Sequence, residues 1–221
     1  MSALGMQSLK ALFSPTDEQL MWRVQMQDDA QAFAELVGRW EGPIHGLCTR
    51  ITGDLHRGED LAQEAFSRLF YRRKAYRTGH KLSTYLWRIA LNLCYDELRR
   101  TGRRREEPLD TGDAGESTGP GGVASEGPSP DEQLVREETG QAVRQALMGL
   151  PEDERTIVVM RHYQDLKFRE IAEILDLPEG TVKTRMTEAL NHLSRLLKSD
   201  LELHVRVPPG KRTRPKEYLL I

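Results

Sequence analysis

Cysteine is scarce: Cys48 and Cys94 are the two among 221 residues. They are far apart in sequence and fit no metal-ligand spacing, so a disulfide framework is not expected and a reducing cytosol is. His45 and Cys48 can share a helix face, but two such side chains make a weak case for zinc. No apolar run is long enough to cross a bilayer. The N-terminus lacks the hydrophobic segment of a signal peptide. The expectation is a cytoplasmic protein with no membrane insertion. No P-loop, Gly-rich nucleotide fingerprint, nucleophile elbow or metal triad occurs, and acids and histidines are scattered. Neither catalysis nor a bound cofactor is therefore expected. Strand alternation and internal repeats are absent too. The net charge of −2 does not by itself point to nucleic acid.

The distribution of charge does. From Arg68 to Arg105 there are twelve Lys/Arg against Asp96 and Glu97; from Glu106 to Gln141 there are ten Asp/Glu against Arg136 alone. A basic block followed by an acidic one is a stronger signal than the total. With 38% apolar and 30% charged residues, the chain suits an all-α fold.

The most informative stretch is Phe168–Leu197. Phe168, Ile171, Ala172 and Leu175 share one helical face, and Val182, Met186, Ala189, Leu190, Leu193 and Leu197 share another. A short break from Asp176 to Gly180 separates them, with Pro178 suited to a first helical turn. Two helices across so short a turn make a helix-turn-helix, whose second helix can enter a DNA major groove. Lys183, Thr184, Arg185, Thr187 and Glu188 lie off the buried stripe. An ordinary helical hairpin with a solvated face is the plain alternative.

Four helices are expected before it in the front half. Phe33, Leu36, Val37 and Trp40 suit one, and Ile44, Leu47, Cys48 and Ile51 a second after Pro43. The third, GEDLAQEAFSRLFYRR, buries Leu61, Ala65, Phe66, Leu69 and Phe70, leaving Asp60, Gln63, Glu64 and Ser67 opposite. The fourth runs from about Ser83 to Arg100 and buries Leu86, Ile89, Ala90 and Leu93. Its second face carries Trp87, Arg88, Asn92, Tyr95 and Arg99. Rings among cations suit single-stranded nucleic acid, because bases stack while cations hold the backbone. Trp87 and Tyr95 completing a core is the other reading.

Composition divides the chain into an N-terminal extension 1–27, a helical domain 28–100, a flexible acidic linker 101–131, a second helical domain 132–198 and a basic tail 199–221. Two small helical domains are thus joined by a Gly/Pro/Ser-rich tether. A coil of about 30 residues spans roughly 30 Å. In the second domain, Glu132–Leu150 reads as one helix, and Pro151 opens another with Glu152, Asp153 and Glu154 in its first turn, where the helix dipole favours acids.

Together, GEDLAQEAFSRLF with LSTYLWRIALNLCYDELRR in front, and LPEDERTIVVMRHYQDLKFREIAEILDLPEGTVKTRM behind, resemble a bacterial RNA polymerase sigma factor of the extracytoplasmic-function (ECF) type. The resemblance covers about Asp28–Arg100 and Glu132–Lys198. It implies a non-enzymatic subunit that binds core RNA polymerase, reads the −35 and −10 promoter elements and promotes DNA opening. It also implies an anti-sigma partner. Asp60, Gln63 and Glu64 are the expected polymerase contacts. Lys81, Trp87, Arg88, Asn92, Tyr95 and Arg99 are expected to hold the opened −10 strand, with the loop Arg77–Leu82 presenting a flipped base. Thr181, Lys183, Thr184, Arg185 and Glu188 are expected on −35 DNA, with Glu188 reading a cytosine or orienting Arg185. Val182, Met186 and Leu190 are expected to face the support helix. Two departures stand out: Asp176 where the family has Gly in the turn, and Lys167 where it has a Ser/Thr cap, for which Asp165 is the expected substitute. A stand-alone helix-turn-helix regulator, binding operators as a dimer, is the competing reading.

Overall fold

In the computed structural model, residues 14–77, 79, 81–106 and 140–204 are described. The expected linker beyond 106, the short helix suggested by Leu9, Leu12 and Phe13, and the end of the tail lie outside them. Among the described residues there are helices and no strand. The first, α1 (Asp17–Gln27), has no counterpart among the helices expected from the sequence. Its cap is reciprocal: Thr16 Oγ1 accepts from the Gln19 N–H at 3.2 Å and Gln19 Oε1 accepts from the Thr16 N–H at 2.9 Å. Leu20, Met21 and Val24 are fully buried, so this segment belongs to the front core rather than to an extension ending at 27.

Helix α2 (Ala30–Thr52) corrects a second expectation. It runs unbroken through Pro43. Proline removes one hydrogen bond to the carbonyl four residues back, but Leu36, Ile44, Leu47 and Ile51 stay buried on both sides of it. Packing of that stripe outweighs one lost bond. Asp29 caps α2, accepting from the Gln31 and Ala32 N–H groups. The Ala32 bond, then the hydrogen bond from Arg23, hold its carboxyl below the usual range. Gly53 ends α2 at φ 78°, a left-handed position that suits glycine.

Asp54 caps α3 (Leu55–Tyr71) through the Arg57 N–H at 2.9 Å. A 3-10 turn, Arg73–Ala75, leads towards α4 (Leu82–Glu106). That helix continues past Arg100, so residues 101–106 are helical rather than linker. The helix α5 is described over 140–148. It precedes α6 (Glu152–His162), α7 (Phe168–Leu175) and α8 (Glu179–His204). Helix α8 runs six residues into the expected tail. Asp176 adopts the left-handed conformation, φ 56°, between α7 and α8, as expected for an aspartate standing in for glycine. The cap of α7 differs from expectation. Glu170 accepts from the Lys167 N–H at 2.9 Å, while the Asp165 side chain is fully exposed.

The two helical modules share one continuous apolar cluster. Leu69, Leu82 and Leu86 in front join Ile157, Met160 and Ile171 behind. Helix α2 packs on α6, and α4 packs on α7. Cys48 and Cys94, distant in sequence, meet in the front core as buried thiols. Their mutual contact and burial push the Cys94 thiol far above its ordinary range.

Candidate nucleic-acid interface

Helix α8 presents its first turns outward. Val182 and Met186 are buried against the support helix, but Leu190 is 47% exposed. The stripe therefore departs from the predicted one at Leu190, while Ala189 beside it is fully buried and Leu193 and Leu196 still pack on the core. Lys183, Thr184 and Glu188 are exposed, and Thr181 and Arg185 half-buried. The Thr184 hydroxyl bonds the Gly180 carbonyl at 3.1 Å, and Lys183 pairs with Glu179 at 2.6 Å. Arg185 is oriented by Asp153 of α6, 3.0 Å away, rather than by Glu188. Asp153 was read from sequence only as an acid suited to a helix start.

The front face is split. Lys81, Arg88, Asn92 and Arg99 are exposed and Tyr95 half-buried; Arg99 pairs with Asp96 at 2.7 Å. Trp87 is not on that surface. It is 2% exposed and packs edge-on against Trp40, centroids 5.6 Å apart. Its indole N–H has no partner among the described residues. The second face of α4 sits so close to the first that a ring at position 87 reaches the core. Two residues of the expected flipped-base loop, 78 and 80, lie outside the described residues.

Several expected contacts are already engaged by the back module. Arg88 donates to the Glu173 and Ile174 carbonyls at 2.6 and 3.0 Å. The Tyr95 hydroxyl bonds Thr156 Oγ1 at 2.9 Å. Arg155 is 7% exposed and donates to the carbonyls of Ile51, Met148 and Leu150. Burial pushes its pKa below the ordinary arginine range, with Glu152 opposing. Sequence reasoning missed Arg155; the available signal was a charged residue running into the apolar Ile157–Met160 segment.

On α3, Asp60, Gln63 and Glu64 are all exposed on one face. Arg57 lies 3.6 Å from Asp60, and Arg68 lies 2.8 Å from Glu64. These are solvated pairs on a face that leaves acids and an amide available. No group of three or more metal-ligating side chains occurs among the described residues.

Two family models match the chain: Sigma-70 region 2 over residues 36–104, and Sigma-70, region 4 over residues 140–193. The ECF RNA polymerase sigma factor SigW of Bacillus subtilis is 35% identical over 172 residues, covering 77% of this chain and 91% of its own. The RNA polymerase sigma-H factor of Pseudomonas aeruginosa is 32% identical over 181 residues, 82% and 93% of the two chains. The ECF RNA polymerase sigma-E factor of Escherichia coli is 35% identical over 178 residues, 79% and 90%. Among solved structures, CnrH in complex with the cytosolic domain of CnrY superposes with TM-score 0.59 at 22% identity, covering 83% of this chain and 98% of that one. The sigma factor RpoE in complex with the anti-sigma factor NepR, from Bartonella quintana, gives 0.58 at 20%, covering 77% and 99%. Both share the fold.

Proposed function

The chain belongs to the ECF family of RNA polymerase sigma factors, and from that premise we propose how its surfaces divide the work of initiating transcription at promoters. Asp60, Gln63 and Glu64 dock on core polymerase. Lys81, Arg88, Asn92, Tyr95 and Arg99 hold the opened −10 strand. Arg88 and Arg99 take phosphate, Tyr95 stacks on a base, and Asn92 bonds a base or the backbone. Thr181, Lys183, Thr184, Arg185 and Glu188 meet the −35 element. Lys183 contacts backbone, which positions without specifying, and Arg185 reads a guanine.

One observation carries this reading. Two family regions occur on one chain, region 2 ahead of region 4, each with its own exposed polar face. A stand-alone operator-binding regulator has no need of the first. The acts assigned are recognition and strand capture, so no residue is given a catalytic role. Among the described residues no helix is long and apolar enough to cross a membrane, which supports action beside cytoplasmic polymerase. CnrH and RpoE are each held by a second protein, CnrY and the anti-sigma factor NepR; a protein of the anti-sigma class is the corresponding partner proposed here.

The test is transcription with purified core polymerase on a cognate promoter, read together with permanganate reactivity of opened thymines. The wild-type chain gives both signals; Asn92→Ala and Arg88→Ala weaken opening while retaining −35 binding. Wild-type opening by both variants places the strand elsewhere.

A further inference from the structure

The first turn of α6 holds α8 at two places. Asp153 pairs with Arg185 at 3.0 Å, and Glu154 Oε2 lies 2.5 Å from His192 Nδ1. Arg185 and His192 are seven residues apart, two turns along one edge of α8. Ala189 lies between them on that edge and is fully buried. Acids in a first helical turn ordinarily face solvent and answer the helix dipole. Glu154 does not face solvent: it is 7% exposed, and its carboxylate meets the ring of a residue 38 positions away. A carboxylate so buried needs a partner. The contact with His192 therefore sets where that edge of α8 can lie, and Arg185 rides on the same edge.

We propose that His192 is a positioning residue for −35 recognition: through Glu154 it fixes the turn of α8 about its axis, and with it the aim of Arg185. The inference rests on the −35 assignment above. It makes discrimination pH-dependent. Histidine changes charge between about pH 5 and 8. Nδ1 faces Glu154, so the charged ring donates there, and of the two neutral tautomers one does. The charged form makes the stronger, charge-assisted bond. Grip and discrimination are therefore greatest at the acid end of that window and decline as pH rises through it. The neighbouring charges do not take the place of the ring. On α6, Asp153 is turned to Arg185, Arg155 to backbone carbonyls, and Glu152 is exposed. On α8, Glu188 and Arg195, one turn before and one after, are exposed and of opposite sign; Arg144 on α5 is exposed too.

Holoenzyme assembled from the full chain and core polymerase provides the test. Competition binding gives the affinity ratio between the cognate promoter and one with the guanine facing Arg185 replaced, at about pH 6 and about pH 8. A ratio cancels the pH effects that the two DNAs share. The wild-type ratio falls several-fold from the lower pH to the higher. His192→Asn keeps a donor at the Nδ1 position without the charge, and gives the low ratio at both. The His192 side chain is 38% exposed, so this replacement leaves the fold in place. Glu154→Gln keeps the histidine and removes its carboxylate; it also abolishes the pH dependence, whereas a direct pull of His192 on phosphate would survive it. A wild-type ratio that is flat with pH overturns the proposal, and so does the same decline in either variant. Arg185→Ala keeps two failures apart. If it discriminates as the wild type does, Arg185 reads no base and the −35 assignment falls together with the proposal. If it loses discrimination while His192→Asn follows the wild type, the proposal alone falls.

Discussion

Arg185 on α8, the helix proposed to read the −35 element, is paired with Asp153 at the start of another helix, Nη1 to Oδ2 3.0 Å. Asp153 also accepts from the Glu154 N–H at 3.0 Å through its other oxygen, so its carboxylate is itself fixed. The pair leaves Arg185 half-buried, with its guanidinium held by a residue of α6. Partly exposed pairs contribute only about 0–1 kcal/mol to stability. Asp153→Asn should therefore leave the melting temperature nearly unchanged. It should still alter the −35 substitution profile, because a bidentate guanine contact is worth about 1–3 kcal/mol and depends on alignment. Arg185→Ala should change the same position more. Identical −35 scans for all three proteins would show that Arg185 reads no base.

The sequence made the helix-turn-helix legible because its two stripes, its Pro178 and its left-handed Asp176 act locally. The exposed face of α3 carrying Asp60, Gln63 and Glu64 was legible for the same reason. What escaped depends on contacts between distant segments. Helix α1 carries a readable cap at Thr16 and Gln19, but its weak apolar pattern gains meaning only against α2. Pro43 was read as a break because local proline chemistry says so; burial on both sides of it decided otherwise. Trp87 and Leu190 were misplaced because a helical wheel fixes an angle, not which neighbour reaches that far. Arg155 and Asp153 serve partners that no spacing rule connects to them.

Trp87 gives a direct test of core against strand contact. Its ring is buried on Trp40, and its N–H makes no hydrogen bond among the described residues. Trp87→Phe should cost less than Trp87→Ala, since an aromatic ring still fills most of the site and no bond is lost. Trp87→Ala should cost about 3–5 kcal/mol through the cavity it leaves. Urea unfolding separates the two. An alanine variant of wild-type stability that no longer opens promoters would return Trp87 to the strand.

The proposed polymerase face should behave as surface, not core. Asp60 and Glu64 have side chains 68% and 49% exposed. Substitutions at such positions usually change stability by less than about 0.5 kcal/mol. Asp60→Ala with Gln63→Ala should weaken binding of core polymerase about tenfold or more while the unfolding curve stays in place. Titration against labelled core polymerase provides the check; unchanged affinity would move the docking surface off α3.

Gly58 sets how closely α3 can lie on α2. It is buried, and a Cβ placed there would fall 2.7 Å from both the N and Cα atoms of Thr49. Backbone cannot swing aside as a side chain can, so the helices must part. Gly58→Ala gains about 1 kcal/mol of helix propensity but loses about 1–3 kcal/mol to overpacking, and the net effect should be destabilising. Gly38 on α2 is the matched control: it is exposed, with nothing within 4 Å of the added atom. Gly38→Ala should therefore stabilise by about 0.5–1 kcal/mol. Because Asp60 and Gln63 ride on α3 within two turns of Gly58, the displacement should also weaken polymerase docking, even under conditions where the variant remains folded. Thermal unfolding of both variants, with core binding measured well below the transition, decides it; equal gains in stability at the two positions would mean that the helix crossing is looser than these distances require.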